Sequence, residues 1–217
     1  MHIHILSLFP ESIRPYLESS IMKRAQEKGL FRYTLHNLTD WTVRNTRRVD
    51  DRPYGGLPGT ILSVEPLTRA LRDIEKSYGT MPIYLPTPRG KILDQDTIEG
   101  IPKNIDSQCC IICPHYEGVD ERVFTLFPIK SFSLGKFIIS SGELASLTWI
   151  DAVVRLIPGV LSEDSLREES YSGELKDKIE YPHYSRPEVF EGLSVPKVLL
   201  SGNQKEIEKW KKDNLGE

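Results

Sequence analysis

The sequence lacks any long hydrophobic run, and none approaches the roughly 20 residues that a membrane-spanning helix needs. The first ten residues, MHIHILSLFP, are too short for a signal peptide and lack its basic start. These two absences exclude a membrane span and a secretion signal, so we expect a cytoplasmic protein with no membrane partner. With 217 residues, 39% hydrophobic and 27% charged, the chain suits one large globular domain, alone or with a small appendage.

Cysteine is also scarce, and the three cysteines stand together as Cys109, Cys110 and Cys113. One C-x-x-C with His115 nearby raises a metal or redox site, but there is no second pair to complete it. The run CCIIC is typical of a buried strand, which favours reduced core thiols. We therefore predict no metal site here.

A basic excess is missing too, since the net charge is -3 and the sequence pI is near 6.0. That charge balance argues against a protein that coats nucleic acid non-specifically. Residues 1–53 nevertheless hold nine basic and six acidic residues, with arginines concentrated between 44 and 52. This segment is either a solvated face or a patch that contacts phosphates, and the charge pattern leaves both open.

Short apolar runs alternate with helical patterns along the first three quarters of the chain. A helix is predicted over 11–29, closed by Gly29, and another over 62–76 with Leu67, Leu71 and Ile74 on one face. The predicted strands cover residues 2–8, 31–35, 81–85, 109–113 and 137–139. This alternation indicates an α/β domain with a largely parallel sheet, in which ligands lie beyond the carboxyl ends of the strands. Loops follow three of the strands, and we expect them to share one pocket.

The stretch from Leu134 to Leu161 is the most informative. After the predicted strand 137–139, Ser140 and Glu143 have the spacing of a capping box. A helix should follow, with Leu147, Ile150, Val154 and Ile157 buried, and should end at Pro158-Gly159. The turn between strand and helix is either an ordinary tight connection or a ligand site formed by backbone N–H groups.

Beyond residue 161 the pattern changes. Residues 162–181 are polar and resemble a linker, whereas 203–212 form a short predicted helix. We therefore divide the chain into a main domain of residues 1–161, a linker of residues 162–181 and a small C-terminal helical domain of residues 182–217.

Several motifs then carry a resemblance to a known family. They are SLFPE (7–11), VDDRPYGG (49–56), TPRG (87–90), YEGVDERV (116–123), SGELASLTWIDAVVRLIPGVL (141–161), PHYSRPEVFEG (182–192) and VPKVLLSGNQKEIEKW (195–210). In order and spacing they resemble the bacterial tRNA (guanine-N1)-methyltransferases of the SPOUT class, over nearly the whole chain. The resemblance implies a parallel sheet with a deep trefoil knot, and a homodimer whose active sites lie between two subunits. It also implies methyl transfer from S-adenosyl-L-methionine to N1 of the guanosine just 3′ of the tRNA anticodon, with Mg²⁺ assisting.

The resemblance places the cofactor against the three loops predicted above. From the first and second loops it selects Leu85, Pro86, Thr87, Pro88, Gly90, Pro114, Tyr116, Glu117 and Gly118. From the third it selects Leu134, Gly135, Lys136, Phe137, Ile138, Ile139, Ser141 and Gly142.

The reaction needs a base, because guanine N1 carries a proton that must leave. The resemblance assigns this role to Glu169 and a supporting catalytic role to Arg155. An ordinary salt bridge from Arg155 to Asp151 is the structural alternative. Family positions near the tRNA correspond to Asp50, Arg52, Ser165, Ser170 and Arg186.

Several positions in the catalytic and cofactor-binding segments depart from the family pattern. Glu169 stands where aspartate is usual, Pro114-His115 replaces Gly-Arg, Lys136 replaces an acid and Ser141 replaces glycine. An alternative function is therefore a divergent member that binds cofactor or RNA but has lost or changed methyl transfer. A doubly wound nucleotide binder is a third reading, but it would need a Gly-x-Gly-x-x-Gly loop after the first strand, and SLFPES offers none.

Overall fold

A computed structural model describes residues 1–56, 58–104, 107–162, 165–166, 168–176 and 178–216. They form two compact units, residues 1–160 and 161–217. The first contains a five-stranded sheet of β1 (His2–Ser7), β2 (Arg32–Asn37), β5 (Ile83–Ile92), β6 (Gln108–Ile112) and β7 (Ile129–Ser133). The strand order is β2-β1-β6-β5-β7, and every neighbouring pair is parallel.

Helices cover both faces of this sheet. The chain adds α1 (Pro10–Leu17), α2 (Ser20–Glu27), α3 (Val64–Tyr78), α4 (Gln95–Asn104), α5 (Arg122–Leu126) and α6 (Gly142–Val154). Ile3 and Ile5 point into a core that includes Trp149 on α6, whereas Leu6 points into a second core with Leu67 on α3. Successive strand residues face opposite sides, so the central strand β1 is buried at every residue and β6 from Cys109 onward. The predicted α/β class with a parallel sheet is confirmed.

The single helix predicted over 11–29 is wrong, because two helices occupy this segment. Ser20 has a positive φ of 44°, and the Ser19 hydroxyl donates to the carbonyl of Tyr16. Serine hydroxyls compete for backbone groups in this way and interrupt helices. The apolar spacing continues across the break, with Ile13 and Leu17 buried before it and Met22 after it, which is why the pattern looks unbroken.

The strand predicted over 137–139 is also wrong. The edge strand β7 lies earlier, at Ile129–Ser133, and residues 137–139 belong to the loop that follows it. Phe137 and Ile138 are 58% and 81% exposed, so this apolar run is not a core strand. The mixed sequence of β7 (IKSFS) suits an edge strand with one partner, and a search for apolar runs does not find it.

The first unit also contains a 3₁₀ helix, Leu38–Trp41, and an antiparallel pair, β3 (Asp50–Asp51) with β4 (Ile61–Leu62). The second unit contains a 3₁₀ turn at Gly173–Leu175 and a hairpin of β8 (Val189–Phe190) and β9 (Leu193–Ser194). Helices α7 (Lys197–Leu200) and α8 (Gln204–Asp213) complete it. The predicted helix over 203–212 is confirmed by α8.

Candidate functional site

The three predicted ligand loops follow three neighbouring strands. They are residues 85–90 after the start of β5, residues 113–118 after β6 and residues 134–142 after β7, and these strands are adjacent in the order β6-β5-β7. Because the strands are parallel, their carboxyl ends share one edge of the sheet. The structure therefore brings the loops together as expected.

The first of these loops is a bulge within β5. Pro86 and Lys91 both pair with Phe132 of β7, so the four residues between them leave the ladder. A Cβ on Gly90 would lie 2.4 Å from the carbonyl carbon of Phe132. Only glycine allows this close approach of two backbones, which holds Thr87 and Pro88 out at the rim.

The second loop is locked against the third at the start of α6. The Gly142 N–H donates to the Pro114 carbonyl at 2.7 Å, and a Cβ on Gly142 would lie 2.2 Å from Pro114 Cδ. Ser141 precedes the helix in extended conformation and makes no side-chain cap hydrogen bond. The predicted capping box is therefore wrong, because Ser140 lies outside the cap and Glu143 bonds elsewhere.

Glu143 turns inward from the first turn of α6 and is only 4% exposed. Its Oε1 accepts a hydrogen bond of 2.7 Å from Ser7 Oγ, at the carboxyl end of β1. Its Oε2 lies 3.8 Å from His115 Nδ1, and within the described residues neither atom has a hydrogen-bond partner. Sequence reasoning missed this cluster, because Ser7 and Glu143 are far apart in the chain.

The turn of residues 116–118 is fastened to the glycine-rich loop that follows β3. Tyr116 and Gly118 have positive φ values of 59° and 120°. The Glu117 N–H donates to the Thr60 carbonyl at 3.0 Å, and a Cβ on Gly59 would lie 2.9 Å from Glu117 Cγ. Residues 59 and 60 thus support the second ligand loop.

The third loop presents apolar groups to solvent. Gly135 has a φ of 153°, and its N–H donates to Ser133 Oγ at 3.2 Å. A Cβ on Gly135 would lie 2.9 Å from the Phe137 ring. The exposed Phe137 and Ile138, beside Leu134, are apolar surfaces that a planar aromatic ligand could cover.

The arginines between 44 and 52 are mostly engaged with acids of the same loop. Arg44 pairs with Asp51 at 2.7 Å, Arg47 with Asp40 at 2.7 Å and Arg48 with Asp50 at 3.0 Å. Arg48 donates two hydrogen bonds to Asp50, which lowers the pKa of this carboxyl below its ordinary value. Within the described residues Arg52 has no ion pair, so it is the arginine here best placed for an external phosphate.

The cysteines are core residues. All three thiols are free and buried, and burial raises the pKa of Cys109 to about 12. A thiol with so high a pKa is not a thiolate at neutral pH, so it neither attacks nor binds metal readily. Across the described parts of the chain, no group of three or more His, Cys, Asp or Glu side chains is arranged to hold a metal ion.

The two predicted catalytic residues lie in different units. Arg155 follows α6 in the first unit, and its N–H donates to the Asp151 carbonyl. The Asp151 carboxylate accepts a 2.7 Å hydrogen bond from Tyr16, which also raises the pKa of that phenol to about 12. Glu169 lies in the second unit, partly buried, and its carbonyl accepts from the Ser172 N–H.

The residues predicted to bind tRNA are spread over both units. Asp50 is buried in its pair with Arg48, and Arg52 is exposed beside it. Ser165 bonds Ser162 at 2.6 Å, and Ser170 Oγ accepts from the Glu180 N–H at 3.0 Å. Arg186 is exposed before a cis-proline.

A parallel α/β sheet whose three neighbouring strands carry loops at one edge is the arrangement typical of α/β enzymes that bind a ligand beyond the strand ends. Within the described residues, no helix combines the length and the apolarity that crossing a bilayer requires.

Comparison with known proteins identifies the family. A family model described as "tRNA (Guanine-1)-methyltransferase TrmD" matches residues 1–217. A tRNA (guanine-N(1)-)-methyltransferase of Clostridioides difficile is 41% identical over 98% of this chain and 91% of its own length. One from Caldanaerobacter subterraneus is 45% identical over 98% and 86%. The crystal structure of the tRNA (m1G37) methyltransferase from Aquifex aeolicus matches with a TM-score of 0.80 and 38% identity, over 97% of this chain and 87% of that one.

The chain therefore belongs to the tRNA (guanine-1)-methyltransferase family. The resemblance found in the motifs is confirmed, and the protein is an enzyme of this methyltransferase class that acts in tRNA processing.

Proposed function

We propose that the protein transfers a methyl group from S-adenosyl-L-methionine to N1 of the guanosine just 3′ of the anticodon in tRNA. The observation that carries the proposal is the convergence of the three loops at one sheet edge, in a chain that matches this family from end to end. The alternative of a member without methyl transfer has no comparable support, since the relatives named above are all described as methyltransferases.

The loops fit such a cofactor in two respects. Gly90 and Gly142 let backbones approach where any Cβ would collide, which leaves peptide groups at the rim to pair with an adenine edge. Phe137 and Ile138 supply exposed apolar surface for the ring. The proposed contacts are Leu85, Pro86, Thr87, Pro88, Gly90, Pro114, Tyr116, Glu117, Gly118, Leu134, Gly135, Lys136, Phe137, Ile138, Ile139, Ser141 and Gly142.

When bound, S-adenosyl-L-methionine supplies a methyl group already activated as a sulfonium. The protein must then remove the proton from guanine N1, and we assign this to the Glu169 carboxylate as general base. Arg155 is assigned to the guanine side of the reaction, where a cation stabilises the negative charge that develops as the proton leaves. The described residues do not fit a resident metal, so no step is assigned to Mg²⁺.

The tRNA contacts are assigned to Asp50, Arg52, Ser165, Ser170 and Arg186. Arg52 and Arg186 supply positive charge for phosphates, and the two serines supply hydroxyl groups. Asp50 acts differently, because its bond to Arg48 shapes the loop that presents Arg52. The paired arginines 44, 47 and 48 are thus assigned to loop shape.

Three further features, concerning the knot, the domains and the oligomeric state, complete the proposal. The chain forms the trefoil-knotted sheet of its family, and residues 182–217, joined by the linker 162–181, form a small tRNA-binding domain. The enzyme acts as a cytoplasmic homodimer. Leu144, which is 59% exposed in the first turn of α6 and is not assigned to the cofactor, supports a protein partner beside the ligand loops.

The test is methyl transfer from labelled S-adenosyl-L-methionine to two unmodified tRNA transcripts. One carries guanosine just 3′ of the anticodon and the other carries adenosine there. We expect label only in the first transcript, located at N1 by nuclease digestion and mass spectrometry. Label in neither transcript, with a folded protein, would favour the binding-only alternative. Repeating the assay with EDTA measures the dependence on Mg²⁺.

A further inference from the structure

The buried cluster of Ser7, His115 and Glu143 has no role in the function described so far. Its members come from three segments: the end of β1, the loop 113–118 after β6 and the first turn of α6. Ser7 and Glu143 are both buried, and they share a 2.7 Å hydrogen bond. Ser7 Oγ also accepts from the Phe9 N–H at 2.9 Å, so its proton and one of its lone pairs are both engaged.

The other half of the cluster is incomplete as it stands. Glu143 Oε2 and His115 Nδ1 are buried, 3.8 Å apart, and neither has a hydrogen-bond partner in the part of the chain that is described. A buried carboxylate oxygen without a partner is costly, and the imidazole Nδ1 lies within reach of it at 3.8 Å. Aromatic rings of Phe9 and Tyr116 lie against His115 on its other sides, at 5.1 and 4.8 Å between ring centroids.

We propose that Glu143 is a positioning residue for the binding of S-adenosyl-L-methionine. Through His115, the Glu143 carboxylate holds the loop 113–118 in the conformation that binds the cofactor. This rests on the proposed function, because the loop is assigned to the cofactor there. Closing the 3.8 Å separation to a hydrogen bond satisfies both orphaned atoms and draws the loop toward β1 and α6.

Two features make the loop sensitive to this contact. The Pro114 carbonyl, next to His115, accepts from Gly142, next to Glu143, so the two pairs act side by side. Glu117, two residues beyond His115, is bonded to Thr60. The loop is thus held at both ends, and loss of the His115 contact frees its middle.

The experiment is a double-mutant cycle on cofactor affinity, measured by calorimetry with S-adenosyl-L-methionine alone. Glu143→Gln keeps an acceptor for Ser7 but loses the charge, and we expect about 10-fold weaker binding. His115→Gln should cause a similar loss, and the double variant no further loss, because both remove one interaction. Glu65→Gln, at an exposed ion pair on α3, is the control and should bind as the wild type does.

A purely structural role would not produce the next result. His115→Arg places a permanent cation opposite Glu143, so it should bind S-adenosyl-L-methionine as the wild type does, whereas His115→Gln should not. Amide hydrogen exchange should also speed up at residues 115–118 in Glu143→Gln while α3 keeps its protection.

Additive losses in the cycle, or unchanged affinity in both single variants, would overturn the inference. If Glu143→Gln does not fold, the His115 variants decide alone, since that side chain is partly exposed. If the wild type binds S-adenosyl-L-methionine and methylates tRNA, and the Glu143 and His115 variants bind the cofactor equally well, only the positioning role is refuted. A wild type that binds no S-adenosyl-L-methionine would refute the proposed function, and the positioning role with it.

Discussion

Single residues carry most of the chemistry proposed for this enzyme. Glu143 shows how their roles depend on surroundings, because three positions after Ser140 it has the spacing of a capping box yet bonds Ser7 instead. Capping is a local pattern that two residues can satisfy, whereas this bond joins segments 136 residues apart. At position 142 a glycine is needed because a Cβ there would collide with Pro114 of the neighbouring loop. The sequence around Gly142 does not show this contact.

The general base is the first residue to test. Glu169→Ala should lower the turnover number by about 100-fold or more, because general-base catalysis contributes at least that much. Affinity for S-adenosyl-L-methionine should stay unchanged. Methyl transfer in single-turnover assays measures the first quantity and calorimetry the second.

Glu168→Ala is the matched control for this change. Glu168 is the adjacent carboxylate and accepts hydrogen bonds from Tyr181 and Lys211, so it has a structural role. Equal turnover in the two variants would remove Glu169 from the mechanism.

Gly142 provides a steric test at the residue scale. In Gly142→Ala the new Cβ would collide with Pro114 backbone and ring atoms at 2.2–2.6 Å, so the two loops must separate. We expect at least 10-fold weaker binding of S-adenosyl-L-methionine by calorimetry. Thr148→Ala, on the exposed side of the same helix, should bind normally, and normal binding by both variants would contradict the interlocked loops.

At the scale of elements, α6 is the helix on which the site is built. Its buried face includes Trp149, Ile150 and Val153, all fully buried. The Trp149 ring packs against a tilted Tyr84 ring of β5 and stacks on Phe132 of β7, with centroids 4.6 and 6.1 Å away. The helix therefore anchors the two strands whose ends carry the first and third loops.

Truncation of this anchor should destabilise the whole first unit. Trp149→Ala should lower the free energy of unfolding by about 3–5 kcal/mol, the usual cost of removing a buried tryptophan. Urea denaturation measures this directly. Trp149→Phe should cost clearly less, because it keeps an aromatic ring and removes an indole N–H that has no hydrogen-bond partner among the described residues. If both variants lost the same free energy of unfolding, packing of the aromatic ring would not be the source of the stabilisation.

Strands β1 and β2 carry a histidine stack that predicts pH-dependent stability. His4 Nδ1 and His36 Nε2 lie 3.0 Å apart, and His2 bonds Thr34. Burial lowers the pKa of His2 and of His36 to about 4, and neighbouring positive charge adds to this. Unfolded histidine has a pKa near 6.5, so the unfolded chain binds more protons between these values.

Stability from these histidines is therefore fully present above about pH 6.5 and is lost as the pH falls toward 4. His36→Phe should flatten this part of the curve of unfolding free energy against pH. His183→Phe, at an exposed histidine of the second unit, should leave the slope as it is. A wild-type curve that is flat from pH 7 to 4.5 would contradict the burial argument.

At the scale of the whole molecule, the proposed homodimer needs an apolar surface. Leu144 is 59% exposed in the first turn of α6, and it is not among the residues assigned to the cofactor. Leu144→Asp should shift the protein toward a monomer in sedimentation velocity, because a charge in an apolar interface loses its hydration. Val43→Asp, at an exposed valine elsewhere, should sediment as the wild type does. A wild-type monomer at all concentrations would end the dimer proposal.

The sequence by itself determined the α/β class, most of the central strands, the long α3 helix and the family. These follow from hydrophobic spacing and from motifs that are contiguous in the chain. Tertiary structure alone decided that residues 137–139 are an exposed loop, that IKSFS is the edge strand and that Glu143 bonds Ser7. It also decided that Arg44, Arg47 and Arg48 pair within their loop. The physical reason is that burial, edge position and ion pairing depend on which distant segments meet, and no local pattern encodes that.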